Sequence, residues 1–96
     1  MYSALRVAIV PNTKGFSLMD THVAGRAIHA LAALRDCNGN IAEAAAKLGI
    51  SQKRLVSALA EAGPAFYEQP NDRIIIPTEL GLRFASRVDM FPYVNW

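Results

Sequence analysis

The stretch from Gly39 to Ala62, GNIAEAAAKLGISQKRLVSALAEA, decides the fold. Asn40 stands where a side-chain oxygen accepts from an early helical N–H, and Glu43 has the spacing to reach back and complete a capping box. A helix therefore starts at Ile41. It runs through alanines, the strongest helix formers, with Ile41, Ala44, Ala45 and Leu48 on one side, and it stops at Gly49, which suits a left-handed C-terminal cap. Ile50 points inward from the turn and Ser51 caps a second helix. In that helix Leu55, Leu59 and Ala62 recur at the spacing of a buried stripe until Gly63-Pro64 ends it. Two short helices joined by a tight turn make a helix-turn-helix.

At about 100° per residue, the face opposite the stripe carries Lys53, Ser57 and Ala60, flanked by Arg54 and Glu61, with Gln52 exposed in the first turn. The second helix of such a motif lies in the DNA major groove, where lysine or arginine donates to guanine and glutamine pairs with adenine. Asn40, Ser51, Gln52, Lys53, Arg54 and Ser57 are the candidate DNA-binding residues on the two helices. The alternative is an ordinary amphipathic helix with a solvated polar side.

The segment after the second helix favours DNA binding. Ala65-Phe66-Tyr67-Glu68 is a short apolar run, Pro70-Asn71-Asp72 is turn chemistry, and Arg73-Ile74-Ile75-Ile76 is β-branched, so the segment predicts a hairpin, a wing placed directly after that helix. Pro77 stops the strand, Thr78 is an N-cap, and Leu80, Phe84, Ala85 and Val88 space a closing helix to about Val88. Gln69, Asn71 and Arg73 can reach phosphates from the wing, and Asn71 and Arg73 complete the candidate set. A merely polar hairpin tip is the plain alternative.

The run from Asn40 to Gln52 resembles the opening of the winged helix-turn-helix of LysR-type regulators, with Ala44-Ala45, Leu48, Ile50, Ser51 and Gln52 in register. Phe66-Tyr67, then Ile76, Thr78 and Gly81, resemble that family's wing and its Leu-Thr-x-x-Gly pattern. Gly39 to Leu59 is equally similar to ModE-type molybdate regulators and to the Fis-like helix-turn-helix. The resemblance covers about residues 30–88 and implies DNA contact by Ser51, Gln52, Lys53 and Arg54. It departs at Val56, where LysR-type proteins commonly have serine, at the shortened segment around Gly63-Pro64, and at Gln69, which replaces a wing arginine. The effector-binding domain of LysR-type regulators has no counterpart in residues 1–96, so no small-molecule effector is expected within the chain.

Composition agrees with one such domain over residues 1–96. With 52% of residues apolar, 96 residues suffice for one small core and no ligand cavity. Ten basic against eight acidic residues give a net charge of +2, so affinity for double-stranded DNA would rest on where charge sits. The single cysteine, Cys37, excludes an internal disulfide and fits a reducing cytoplasm, and no signal-peptide or membrane-spanning pattern is present. No phosphate loop, no partnered nucleophile and no metal-ligand cluster points to catalysis. His22 and His29 share a helix without a third ligand, so neither a metal nor a cofactor is expected.

At the N-terminus Leu5, Val7 and Ile9 alternate with Arg6 and Ala8, which predicts an extra strand, followed by a loop at Pro11 to Gly15. That strand needs a partner, either the wing or its own copy in a second subunit. Asp20 can cap a long first helix with a broad stripe of Val23, Ala24, Ala27, Ile28, Leu31 and Leu34. The tail from Asp89 to Trp96 carries too much apolar surface to be disordered and is expected to pack on the first helix or to form a dimer surface. The reading is mainly α with a small β-hairpin: a winged helix-turn-helix with a three-helix core, a wing, a C-terminal helix and an extra N-terminal strand. Its expected role is that of a bacterial, homodimeric, sequence-specific transcriptional regulator using a recognition helix at about 51–62 and a wing at about 65–77. The rival is a winged-helix protein-interaction module such as an antirepressor or adaptor.

Overall fold

The computed structural model describes residues 7–12 and 15–96, as backbone only up to residue 20. In chain order it contains β1 (Val7–Asn12), β2 (Gly15–Asp20), α1 (Thr21–Asp36), α2 (Ile41–Leu48), α3 (Gln52–Ala62), β3 (Tyr67–Glu68), β4 (Ile76–Pro77) and α4 (Glu79–Ala85). It is mainly helical, and α1 lies at its centre, packed against α2, α3 and α4. Ala24, Ala27, Ile28, Ala30, Leu31, Ala33 and Leu34 are all buried, because three helices and the tail share its surface. Alanine suits that position, since a small side chain lets neighbouring helices approach from several sides. The broad apolar face read from the sequence is thus consumed inside one chain. Val23, placed on that stripe, is only half-buried.

The helix boundaries follow local chemistry. Asn40 Oδ1 accepts from Glu43 N at 3.0 Å, Ser51 Oγ from Arg54 N at 3.1 Å, and Thr78 Oγ1 from Gly81 N at 3.1 Å, each filling an otherwise orphaned donor. Gly49 takes the left-handed conformation at φ 72° and donates to the carbonyls of Ala45 and Ala46. The capping box is only half made. The Asn40 N–H donates to the Cys37 carbonyl at 3.1 Å instead of to Glu43, because the tight turn from α1 already supplies an acceptor. Ile41, Ala44 and Ala45 of α2 and Leu55, Ala58 and Leu59 of α3 are buried, while Leu48 and Ala62 are half-buried.

The N-terminal strand is corrected in partner and extent. β1 pairs antiparallel with β2, from Val7 opposite Asp20 to Asn12 opposite Gly15, in a sheet separate from the wing. Pro11 and Asn12 belong to β1 and Gly15 to β2, so the extra element is a hairpin and not a single strand awaiting the wing or a second subunit. Leu5, and the Asp20 cap, fall outside the described residues and side chains.

The wing is also built differently from the simple hairpin read in the sequence. Only Tyr67–Glu68 and Ile76–Pro77 pair as strands, and Pro64–Phe66 forms a 3-10 turn before them. The β-branched run instead lies against the α1–α2 turn: Ile41 N donates to Arg73 O at 3.0 Å, Ile75 N to Gly39 O at 2.9 Å, and Asn40 bridges Ile74. Gly39 permits this approach, since a β-carbon there would stand 2.9 Å from the Ile75 carbonyl at a φ of 86°. The closing helix ends at Ala85, earlier than Val88, and a 3-10 turn at Val88–Met90 leads into a tail that returns across α1.

Candidate nucleic-acid interface

The buried row of Leu55, Ala58 and Leu59 fixes the rotation of α3, and the remaining sides follow from the helical period. Lys53, Ser57 and Ala60 are exposed on the far side, Gln52 is exposed in the first turn, and Val56 is half-buried. Arg54 and Glu61 lie on one flank, facing the N-terminal half of α1. There Arg26 pairs with Glu61 at 3.3 Å, tying α1 to α3.

The candidate residues fall into two groups. Ser51, Lys53, Arg54 and Ser57 line one open cleft of about 490 Å³ together with Arg26, Ala58, Glu61 and Trp96. This surface cleft was not anticipated from the sequence. Asn40, Asn71 and Arg73 gather at the root of the wing, joined by the bridge between Asn40 and Ile74. Gln52 lies in neither group. Three candidates have structural work for their oxygens: Asn40 and Ser51 as caps, and Asn71, whose Oδ1 accepts from Arg73 N at 2.8 Å and Ile74 N at 3.1 Å and so holds the wing loop. Arg73 remains exposed on that loop.

Three further residues tie α1, α3 and the tail together. Arg26 is the one formally charged residue between Thr21 and Leu34, and it donates to Asn95 O at 3.1 Å besides pairing with Glu61. His29 Nε2 meets Phe91 O at 2.5 Å. Trp96 reaches Arg54, whose guanidinium donates to its carbonyl oxygen. A lone arginine within an alanine-rich helix was the available signal for Arg26; none marked Trp96 as a neighbour of α3.

A further cluster ties α2 to α1. Asp36 accepts from Arg35 at 3.1 Å and from Lys47 at 3.2 Å, and these hydrogen bonds hold its carboxyl below the ordinary carboxylate range. Among the described residues no cluster of three or more His, Cys, Asp or Glu side chains could hold a metal ion, and no helix is long and apolar enough to cross a membrane.

Residues 31–61 match the family described as bacterial regulatory protein, Fis family. The matched segment begins in α1, contains all of α2 and the turn, and ends within the last turn of α3. It supports a helix-turn-helix DNA-binding regulator. Of the resemblances read from the sequence, it carries the Fis-like one and adds nothing to the LysR-type or ModE-type ones. No curated protein and no solved structure matches the chain.

Proposed function

We propose that the chain is a sequence-specific DNA-binding transcriptional regulator that places α3 in the major groove and lays the β3–β4 wing on the adjacent backbone. The observation that carries this reading is the outward face of α3. Lys53 and Ser57 stand exposed opposite the buried row, and Ser51 and Arg54 join them along one cleft beside the first turn. A recognition helix reads bases from this end. Arg73, on a loop rooted at the start of α2, is placed to contact phosphates, with Asn71 shaping that loop and Gln52 available to adenine.

Binding as a two-fold dimer is part of the proposal, because a domain of formal charge +2 has few basic contacts to offer one half-site. The N-terminal strand, the broad face of α1 and the tail are all engaged within the chain. Among the described residues outside those elements, the exposed Ile76 and Leu82 are the large apolar side chains left for such a contact. Selection of bound duplexes from a random pool is the test. Enrichment of an inverted repeat supports both groove reading and the dimer; enrichment of a single half-site supports reading by a monomer; absence of enrichment overturns sequence-specific binding.

A further inference from the structure

We propose that the tail Phe91–Trp96 is an intramolecular strap, which occupies the DNA-facing flank of α3 in the free protein and has to leave before that helix can enter a groove. The inference rests on the DNA-binding reading and adds a mode of control to it. Three contacts pin the strap by its backbone: His29 to the Phe91 carbonyl, Arg26 to the Asn95 carbonyl and Arg54 to the Trp96 carbonyl. Phe91 and Trp96 also pack against the core, and the ring of Phe91 lies over Gly25, where a β-carbon would come within 3.4 Å of it. Trp96 is half-buried in the cleft whose other walls include Ser51, Lys53, Arg54 and Ser57. The indole therefore fills space that a DNA backbone approaching those residues would need. Docked tail and docked DNA exclude each other.

The anchoring chemistry makes the strap displaceable. The Arg54 guanidinium here serves a main-chain oxygen of Trp96, and a phosphate brought up by a duplex offers the same donors charge and bidentate geometry, so it competes for them directly. Residues 91–96 have no regular secondary structure, so their release disrupts no helix or sheet. Pro92, Tyr93 and Asn95 are exposed even when the strap is closed. Affinity for DNA is then lowered by the fraction of molecules in which the strap is open.

Trp96 is the single tryptophan of the chain, so its emission reports the strap directly. The full chain is titrated with a duplex of about 20 base pairs, two helical turns, alongside Trp96→Ala, a chain ending at Tyr93, and Lys53→Ala, each checked for folding by circular dichroism. Emission should move towards that of a solvated indole as duplex binds. Both tail variants should bind more tightly, by about tenfold if the strap is closed in about nine molecules of ten. Emission that stays fixed while duplex binds overturns the strap. Tail variants that bind no better, while Lys53→Ala still weakens binding, overturn the strap and leave the DNA reading standing. If no form binds duplex, the DNA reading fails and the strap's inhibitory role fails with it. Should the shortened chain unfold, Trp96→Ala decides, since it keeps Phe91 and all three carbonyl anchors.

Discussion

A β-carbon on Gly81 would stand 2.0 Å from the carbonyl oxygen of Phe66. That carbonyl also accepts from Thr78 N at 3.0 Å, while Thr78 Oγ1 donates to Ala65 O at 2.8 Å, so α4 starts directly against the 3-10 turn that leaves α3. Phe66 and Phe84 stack over the same junction with ring centroids 4.9 Å apart. Because the obstacle is backbone, no side-chain rotation relieves it. Gly81→Ala should cost stability at or beyond the upper end of the about 1–3 kcal/mol usual for overpacking, as measured by urea unfolding.

Asn40 and Glu43 separate the two halves of a capping box. Asn40→Ala should cost about 1 kcal/mol, since it orphans the Glu43 N–H. Glu43→Ala should stay within about 0.5 kcal/mol, as for other exposed positions, because the return bond is not formed. Equal losses in thermal unfolding would show that Glu43 contributes a contact of its own.

Lys53→Ala should weaken duplex binding by about 1–3 kcal/mol if the ammonium reads a base, and leave the urea midpoint unchanged because the side chain is exposed. Arg54→Ala is a less direct probe, since it removes the proposed DNA contact and the proposed strap anchor together. Fluorescence anisotropy with a labelled duplex measures both, and an unaltered affinity for Lys53→Ala would remove it from the interface.

The Asp36 carboxyl, held down by hydrogen bonds from Arg35 and Lys47, predicts a pH dependence of definite sign. Its folded pKa lies below its unfolded one, so its contribution is present above the unfolded value and is lost as pH falls through the folded value. Asp36→Asn should flatten that part of the acid limb. The group is exposed and the effect should shrink at about 1 M salt, where screening is strong. Carbon-detected NMR titration of Asp36 follows it site by site, and an ordinary midpoint would contradict the pairing.

The helix-turn-helix was legible because its signals are local. Asn40, Gly49, Ser51 and Thr78 each fix a boundary through a neighbour a few residues away, and the stripe of α3 repeats within one helix. β2 was hidden because the proline and glycine of Pro11 to Gly15 read as loop residues, although strand pairing runs as far as Asn12 opposite Gly15. The wing was legible as an apolar run, but not the pairing of Arg73 and Ile75 with the α1–α2 turn, which joins segments without a shared local pattern. The same holds at the candidate site. Arg54 and Trp96 are 42 residues apart and Arg26 and Glu61 are 35 apart, and nothing in either pair's surroundings announces the meeting.

The central place of α1 also bears on how the chain is made. His29 and Arg26 meet Phe91 and Asn95, partners 62 and 69 residues further along. At about 5–20 residues added per second, an emerging helix of alanine and leucine waits several seconds before the last of its cover leaves the ribosome. Throughout that interval its apolar flank is open to whatever binds nascent hydrophobic segments, so a stalled or shortened product would expose, for its whole lifetime, a surface that the finished fold conceals.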